Sequence, residues 1–551
     1  MPVINFKHSD LCTLIGKNVS ADILMERIPM IGADMHDTEG GEDDMSVEFF
    51  PDRPDLYSVE GLARALRAFL GIEDGMKRYD VEGSDIVVTV DKSVKDVRPH
   101  ILCAAVLDMD ITDDLLRSLM EMQEKLHLTI GRKRSKVAIG VHDLDNITPP
   151  FVYKAVSPKE ISFVPLAKTE RWDLDEILEK HEKGVDYKHL LAGKKRYPVI
   201  LDSKGDVLSF PPIINGALTT VTTGTKNLLV DVTGTDIKAV KGALDIIVTA
   251  LAERGGKIRA VRMEGETKNI SPDLSPIEWR INVKECEKFI GRPIKADGII
   301  RSLKKMGLDA SKDDKDLIVL VPSTRLDVMH PVDIYEDAAI GYGFENFGSE
   351  HTITQTPGGK SRMTIVSDRL RDVMIGLGYT EVTTLTLSSE DDEFTVPGLP
   401  VKGVVKIKNP ITEDHTCLRS SLLPSVMRTI RKNKHRDLPQ RVFEIGDAVE
   451  DVKRRRRLCA VATHSRTSFT EMKSIAESVL RETGRPFELR PCRYSTFIDG
   501  RGAEVTVDGE CIGYFGEMAP QIITNFDVNH PVIFLEIDVS ALFDGVSVGL
   551  F

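Results

Sequence analysis

The chain has 551 residues, 41% apolar and 29% charged, which at about 150 residues per domain gives three to five globular domains and excludes both a single module and extensive disorder. No run approaches ~18 consecutive apolar residues, and the opening Met1-Pro-Val-Ile-Asn-Phe-Lys-His8 has no basic region followed by an apolar stretch, so no membrane is implied and a cytoplasmic location is expected. Lys and Arg total 73 against 86 Asp and Glu, and the net charge of −13 excludes a surface that grips nucleic acid all over, leaving two local basic patches, Gly131-Arg-Lys-Arg-Ser-Lys136 and Lys453-Arg-Arg-Arg-Arg457.

The first stretch, to about residue 95, holds an acidic glycine-bearing loop at 37–44 and then Phe50-Pro-Asp-Arg-Pro-Asp-Leu-Tyr57, where Pro51 and Pro54 forbid a helix. Ser58 caps a helix burying Val59, Leu62, Ala63 and Leu66, and Ile86, Val88 and Val90 alternate as a strand. Residues 96–265 alternate strands (137–141, 197–201, 227–232) with helices (113–126, 237–251), an α/β domain. Gly255 to Pro276 reads as a loop. A smaller unit, 270–347, contains a helix from Lys295 to Met306 stopped by Gly307. Residues 355–551 open on a helix with Ser367 as cap and Gly378 as stop. Strand-like runs at 382–387, 404–407, 442–445, 458–462, 503–507 and 532–537 follow, an antiparallel sheet with helices on it. The whole reads as an α+β multidomain protein.

Two constellations carry chemistry. After Pro331, Asp333, Glu336 and Asp337 fall at i, i+3 and i+4 on one helical face, with Asp327 just before the turn; clustered hard oxygens suit Mg²⁺, while acidic residues in a first helical turn also serve simply to complement the helix dipole and face water. Phe210-Pro-Pro-Ile-Ile-Asn-Gly216 and Asp231-Val-Thr-Gly-Thr-Asp236 would bring Asn215, Asp231 and Thr233 to neighbouring strand ends as a polar pocket, although Asn-Gly and Thr-Gly are also ordinary turn formers. The seven cysteines form no CxxC pair and are expected to be reduced. The thirteen histidines show no metal spacing, and a lone His142 or His415 is more often a satisfied residue than a catalyst. Phosphate-loop, GxGxxG, HExxH and GxSxG signatures are missing.

In their order along the chain, Phe50 to Arg64, Gly131 to Asp143, Pro211 to Asn215, Asp231 to Asp236, Pro322-Ser-Thr-Arg-Leu-Asp327, Asn409 to Pro424, Phe443-Glu-Ile-Gly446 and Gly513 to Pro520 resemble the β subunit of phenylalanyl-tRNA synthetase, the archaeal and eukaryotic type fitting best. The resemblance implies an editing domain in the α/β region that hydrolyses tyrosine wrongly attached to tRNA(Phe), with Ser209, Asn215, Asp231 and Thr233 in its pocket. It implies Mg²⁺ on Asp327, Asp333, Glu336 and Asp337, and a final domain like a class II synthetase catalytic domain without its active-site motifs, since Arg419 is followed by Ser420-Ser421 and not by an Arg-x-Glu pattern. Adenylate formation from ATP and phenylalanine is then expected on a separate α subunit in an α2β2 assembly. A noncatalytic RNA-binding or scaffold protein with a lapsed editing domain, and a free-standing hydrolase of mischarged tRNA, remain open beside this reading.

Overall fold

The computed structural model describes residues 2–36, 41, 43–265, 269–349, 351 and 356–543. Most of the acidic loop at 37–44 lies outside them. The chain divides into two compact units, Met1–His351 and Thr352–Phe551, and the protein is a mixed α+β multidomain chain. No helix among the described residues is long and apolar enough to cross a membrane.

The first unit opens with a small antiparallel sheet of β1 (Val3–Lys7), β2 (Ala33–His36) and β3 (Asp44–Phe49), with β3 central. Helix α1 (Val59–Phe69) follows, capped by Ser58, whose Oγ accepts from the N–H of Gly61 at 3.2 Å. The main sheet is built from β4 (Val81–Val90), β5 (His100–Leu107), β6 (Val137–Asp143), β7 (Phe151–Val156), β8 (Tyr197–Leu201), β9 (Val207–Phe210), β10 (Ile214–Asn215), β11 (Leu228–Gly234), β12 (Lys257–Glu264) and β13 (Asn269–Ser271). Its order is β10-β9-β8-β7-β4-β12-β5-β11-β6, with β13 beside β12. The strand at Val81–Val90, grouped in the sequence with the opening unit, pairs in parallel with both β12 and β7 inside this sheet.

The loop expected over 255–276 is corrected in part. Residues Lys257–Glu264 form β12 because Ile258, Ala260, Val261 and Met263 are buried between β4 and β5, a demand set by strands distant in sequence. Helices α2 (Asp113–Leu128) and α3 (Ile237–Glu253) pack on the sheet; Thr112 and Asp236 cap them through side-chain oxygens that accept first-turn N–H groups. A three-stranded sheet and the helices Lys295–Lys305 (α4) and Pro331–Tyr342 (α5) close the unit around a core of Ile299, Leu303, Leu317, Val319 and Ile334.

The second unit is a seven-stranded sheet, mostly antiparallel, whose longest strands are Gln440–Glu450, Lys453–Thr463 and Phe497–Val507. Its opening helix, Arg362–Gly376, starts two turns before the expected cap: Ser361 caps it by accepting from the N–H of Thr364, and Ser367 is buried inside it. The run 382–387 is not a continuous strand; short strands occur only at Thr380–Glu381 and Leu387–Ser388.

Candidate functional site

Along β11, alternation sends Val230 and Val232 to the face covered by α3 and Leu229, Asp231 and Thr233 to the other. The two ends of the strand order approach each other on that second face: the amide of Asn215 in β10 reaches the carbonyl of Val141 in β6 at 3.5 Å. Between them lies a cavity of about 170 Å³ that Ser209, Asn215, Asp231 and Thr233 all line. Its apolar walls include Leu116 and Leu119 of α2, Val141, Leu166, Phe210 and Ile213.

Asp231 lies opposite Gly140 of β6 and Cys103 of β5. A Cβ at Gly140 would fall on Asp231 Oδ2 and His142 Nε2, so glycine opens the room in which the carboxylate and the imidazole meet at 2.7 Å. His142 is fully buried and its Nδ1 lies 2.8 Å from Thr219 Oγ1. A tautomer with its proton on Nε2 satisfies both contacts: Nε2–H donates to Asp231 and Nδ1 accepts from the Thr219 hydroxyl. Sequence reasoning passed over His142 as an isolated histidine; the signal for it was two-residue spacing from Gly140 on one strand face.

The other three residues play different parts. Thr233 Oγ1 accepts from Arg98 Nε at 3.0 Å, and Arg98 Nη2 donates to the Thr233 carbonyl at 2.8 Å, so this hydroxyl is committed to holding a buried guanidinium. Burial pulls Arg98 down to about 10. Ser209 Oγ is buried and has no hydrogen-bond partner among the described residues. It therefore makes no nucleophile–base pair with His142, and the site lacks the relay of a serine hydrolase. Asn215, paired in register with Ser209, is half-buried on the same wall. At the rim, Arg134 donates to the carbonyls of Ile213 (2.9 Å) and Pro212 (3.3 Å). Contact with His127 and the charge of Arg134 hold the Glu124 carboxyl at about 2. His127, kept below the usual imidazole range by burial, accepts the N–H of Ile139 at Nε2 (2.8 Å). The result is an apolar slot with one buried carboxylate, one unengaged hydroxyl and one amide, suited to a ring that carries a hydroxyl.

The acidic constellation is arranged otherwise than expected. Arg325 donates through Nε to Asp327 Oδ1 (2.9 Å) and through Nη2 to Asp327 Oδ2 (2.6 Å) and Asp337 Oδ2 (2.8 Å). Asp333 turns back on its own helix and accepts the N–H groups of Met329 and His330 at 2.8 and 2.7 Å, while Glu336 faces solvent. Among the described residues no three His, Cys, Asp or Glu side chains gather as a metal site. Asp327, Asp333, Glu336 and Asp337, expected together as Mg²⁺ ligands, are engaged separately here: a guanidinium occupies Asp327 and Asp337, the helix terminus takes Asp333, and Glu336 faces solvent. These residues as placed do not fit the ion.

In the second unit Arg419 is buried and held on each of its three nitrogens, by Glu444 Oε1 (2.8 Å), Thr384 Oγ1 (2.7 Å) and the carbonyl of Asp447 (2.8 Å). Glu536 accepts from Ser421 Oγ (2.6 Å) and the N–H of Leu422 (3.0 Å). The five-residue basic run is likewise neutralised in part, Arg456 by Asp447 (3.0 Å) and Arg457 by Glu450 (3.4 Å) and Glu536 (3.5 Å).

Residues 350–539 match the family model of the phenylalanyl tRNA synthetase beta chain CLM domain, and 279–344 that of the tRNA synthetase B5 domain. The phenylalanine–tRNA ligase beta subunit of Methanothrix thermoacetophila is 45% identical over 98% of this chain and 100% of its own length; that of Archaeoglobus fulgidus is 44% identical over 99% of each. Among solved structures, an N-terminal fragment of the phenylalanyl-tRNA synthetase beta subunit from Pyrococcus horikoshii is 40% identical with a TM-score of 0.60, covering 62% of this chain and 100% of the fragment.

Proposed function

This chain belongs to the phenylalanine–tRNA ligase β-subunit family, and from that membership we propose that it works with a separate α subunit, in an α2β2 assembly that charges tRNA(Phe), and hydrolyses tyrosyl-tRNA in the cavity around Asp231. The carrying observation is that Ser209, Asn215 and Asp231 line one apolar slot in which His142 engages a single oxygen of the carboxylate. The second oxygen accepts the hydroxyl of a tyrosine side chain. A phenylalanine ring fits the same walls but leaves that buried acceptor unpaired, a cost of about 1–3 kcal/mol. Such a site answers a known weakness of the synthetic pocket, because an apolar cleft rejects an isostere with one added hydroxyl poorly, whereas a site built to bond that hydroxyl selects it strongly.

Ser209 and Asn215, on the opposite wall, hold the ester end and its attacking water. Thr233 acts at one remove, through Arg98. In the second unit Arg419 is locked to Glu444, which supports the assignment of adenylation to the α subunit. The resemblance's Mg²⁺ enters no step, because Arg325 already compensates Asp327 and Asp337.

Deacylation of tyrosyl-tRNA by the parent chain and by Asp231→Ala and Asn215→Ala tests the proposal. Losing a hydrogen bond to a charged group costs about 1.5–3 kcal/mol, so the Asp231 variant should be slowed roughly ten- to a hundredfold with phenylalanine charging by the assembled complex nearly intact. A folded Asp231→Ala chain that clears tyrosyl-tRNA at the parent rate would place the pocket elsewhere.

A further inference from the structure

The turn from α2 into β6 has a backbone that side chains seldom tolerate. Arg132, Lys133 and Arg134 carry φ of 45°, 53° and 65°, three successive non-glycine residues in the left-handed region. The turn is closed by the N–H of Lys136 to the carbonyl of Gly131 (2.9 Å) and of Arg134 to the carbonyl of His127 (3.2 Å). Its base is Gly131, where a Cβ would press on the carbonyls of His127 and Val137.

One side chain holds this conformation in place. Arg134 is buried, donates to Ile213, Pro212 and Glu124, and lies with its guanidinium 4.6 Å from the centre of the Tyr187 ring; its carbonyl accepts from Arg98 at 3.2 Å. Arg134 also lines the Asp231 cavity. Lys133 and Arg132, one and two residues before it, belong to the same turn and so adjoin a residue of the cavity wall. Both are exposed, and neither has an ion-pair partner among the described residues. Lys183 lines the same cavity and adds a third cation. In a chain of net charge −13, exposed cations held by a strained, anchored turn beside a pocket point to an anionic ligand too large to enter it.

We infer that this turn is the RNA-docking element of the cavity: Arg132 and Lys133 hold backbone phosphates of the nucleotides that lead into the pocket, and Arg134 acts as a positioning residue that fixes the turn without touching RNA. The inference rests on the editing reading above for the nature of the ligand.

The test uses the full chain and an RNA hairpin with a single-stranded 3′ end, uncharged or carrying tyrosine. Binding is measured at several salt concentrations for the parent, for Arg132→Ser/Lys133→Ser, and for the charge-keeping swap Arg132→Lys/Lys133→Arg. Two lost phosphate contacts on single-stranded RNA should flatten the slope of log K against log salt by about 1.4. Affinity at low salt should fall at least tenfold, the swap should restore most of it, and loss in deacylation should fall on KM more than kcat. Unchanged affinity and slope in the double serine variant would overturn the inference, as would normal RNA binding with weakened association to the partner subunit. Salt-dependent binding lost in the serine variant, but with no deacylation by any chain, would uphold the docking surface and sink the editing reading.

Discussion

His142 Nε2 stands 2.7 Å from Asp231 Oδ2, both side chains buried, across strands whose facing residue is Gly140. The contact exists because the intervening strand position carries no side chain. Gly140→Ala should therefore push the carboxylate off the imidazole and slow tyrosyl-tRNA deacylation by roughly tenfold or more, with an overpacking cost of about 1–3 kcal/mol. Deacylation rates and thermal melts of the same preparation check this. A parent-like deacylation rate in Gly140→Ala would show that the pair is not needed in this geometry.

The Arg325 network makes a sharp distinction between neighbouring acids. Asp337→Ala removes a carboxylate that Arg325 holds at 2.8 Å with both groups buried; Arg325 keeps Asp327, so the loss is that of one charge-assisted hydrogen bond, about 1.5–3 kcal/mol. Glu336→Ala, one residue before it and facing solvent, should change stability by no more than about 0.5 kcal/mol. Urea denaturation of both variants measures the contrast. The same network predicts no stoichiometric Mg²⁺ binding by the chain alone in equilibrium dialysis; tight binding would mean that Arg325 swings away from Asp327 and Asp337.

What the sequence could reveal follows the range of the interactions. Helices α2 and α3 were readable because caps at Thr112 and Asp236 and the apolar spacing that follows are local signals. Strand β12 was read as loop because its burial is imposed by β4 and β5, far away in the chain. Asn215 and Asp231 stood out as polar residues read at strand ends, although Asp231 lies mid-strand in β11; Gly140 and His142 carried no local signal beyond their two-residue spacing, and Arg98 became meaningful only through its contacts with β11. Helical spacing grouped Asp333, Glu336 and Asp337; it held no information about Arg325, which holds Asp337 in the interior while Glu336 faces solvent, or about the backbone N–H groups that draw Asp333 back.

Asp245 supplies a pH dependence. It lies on the buried side of α3, and burial, only partly offset by Lys241 at 2.9 Å, raises its carboxyl to about 6. In the unfolded chain the same group titrates near ~3.9. The native state thus holds the proton more tightly, so stability attributable to this residue falls as pH rises between those two values and stays low above the upper one. Asp245→Asn should be more stable than the parent at neutral pH by about 1–3 kcal/mol and should converge with it near pH ~4. Denaturation curves at the two pH values decide the matter: an equal difference at both would mean the carboxyl is not protonated preferentially in the folded chain.

The last expectation concerns the second unit, where Arg419 donates to Thr384 Oγ1 and the Asp447 carbonyl while pairing with Glu444, all within a buried corner. Gly446 keeps that corner open, since a Cβ there would fall on Arg419 Nη2. A buried guanidinium held on all three nitrogens in this way is not presented to the phosphates of ATP, and the neighbouring Glu536 is similarly taken up by Ser421 and Leu422. The chain alone should therefore catalyse no phenylalanine-dependent exchange of pyrophosphate into ATP, and addition of the α subunit should produce it. Arg419→Ala should not confer exchange on the isolated chain; it should instead destabilise the second unit by about 3–5 kcal/mol, because Glu444 is left as an unpaired buried charge. Exchange activity in the isolated parent chain would overturn this division of labour, and a stable, parent-like Arg419→Ala protein would show that the corner is not held by the Arg419–Glu444 pair.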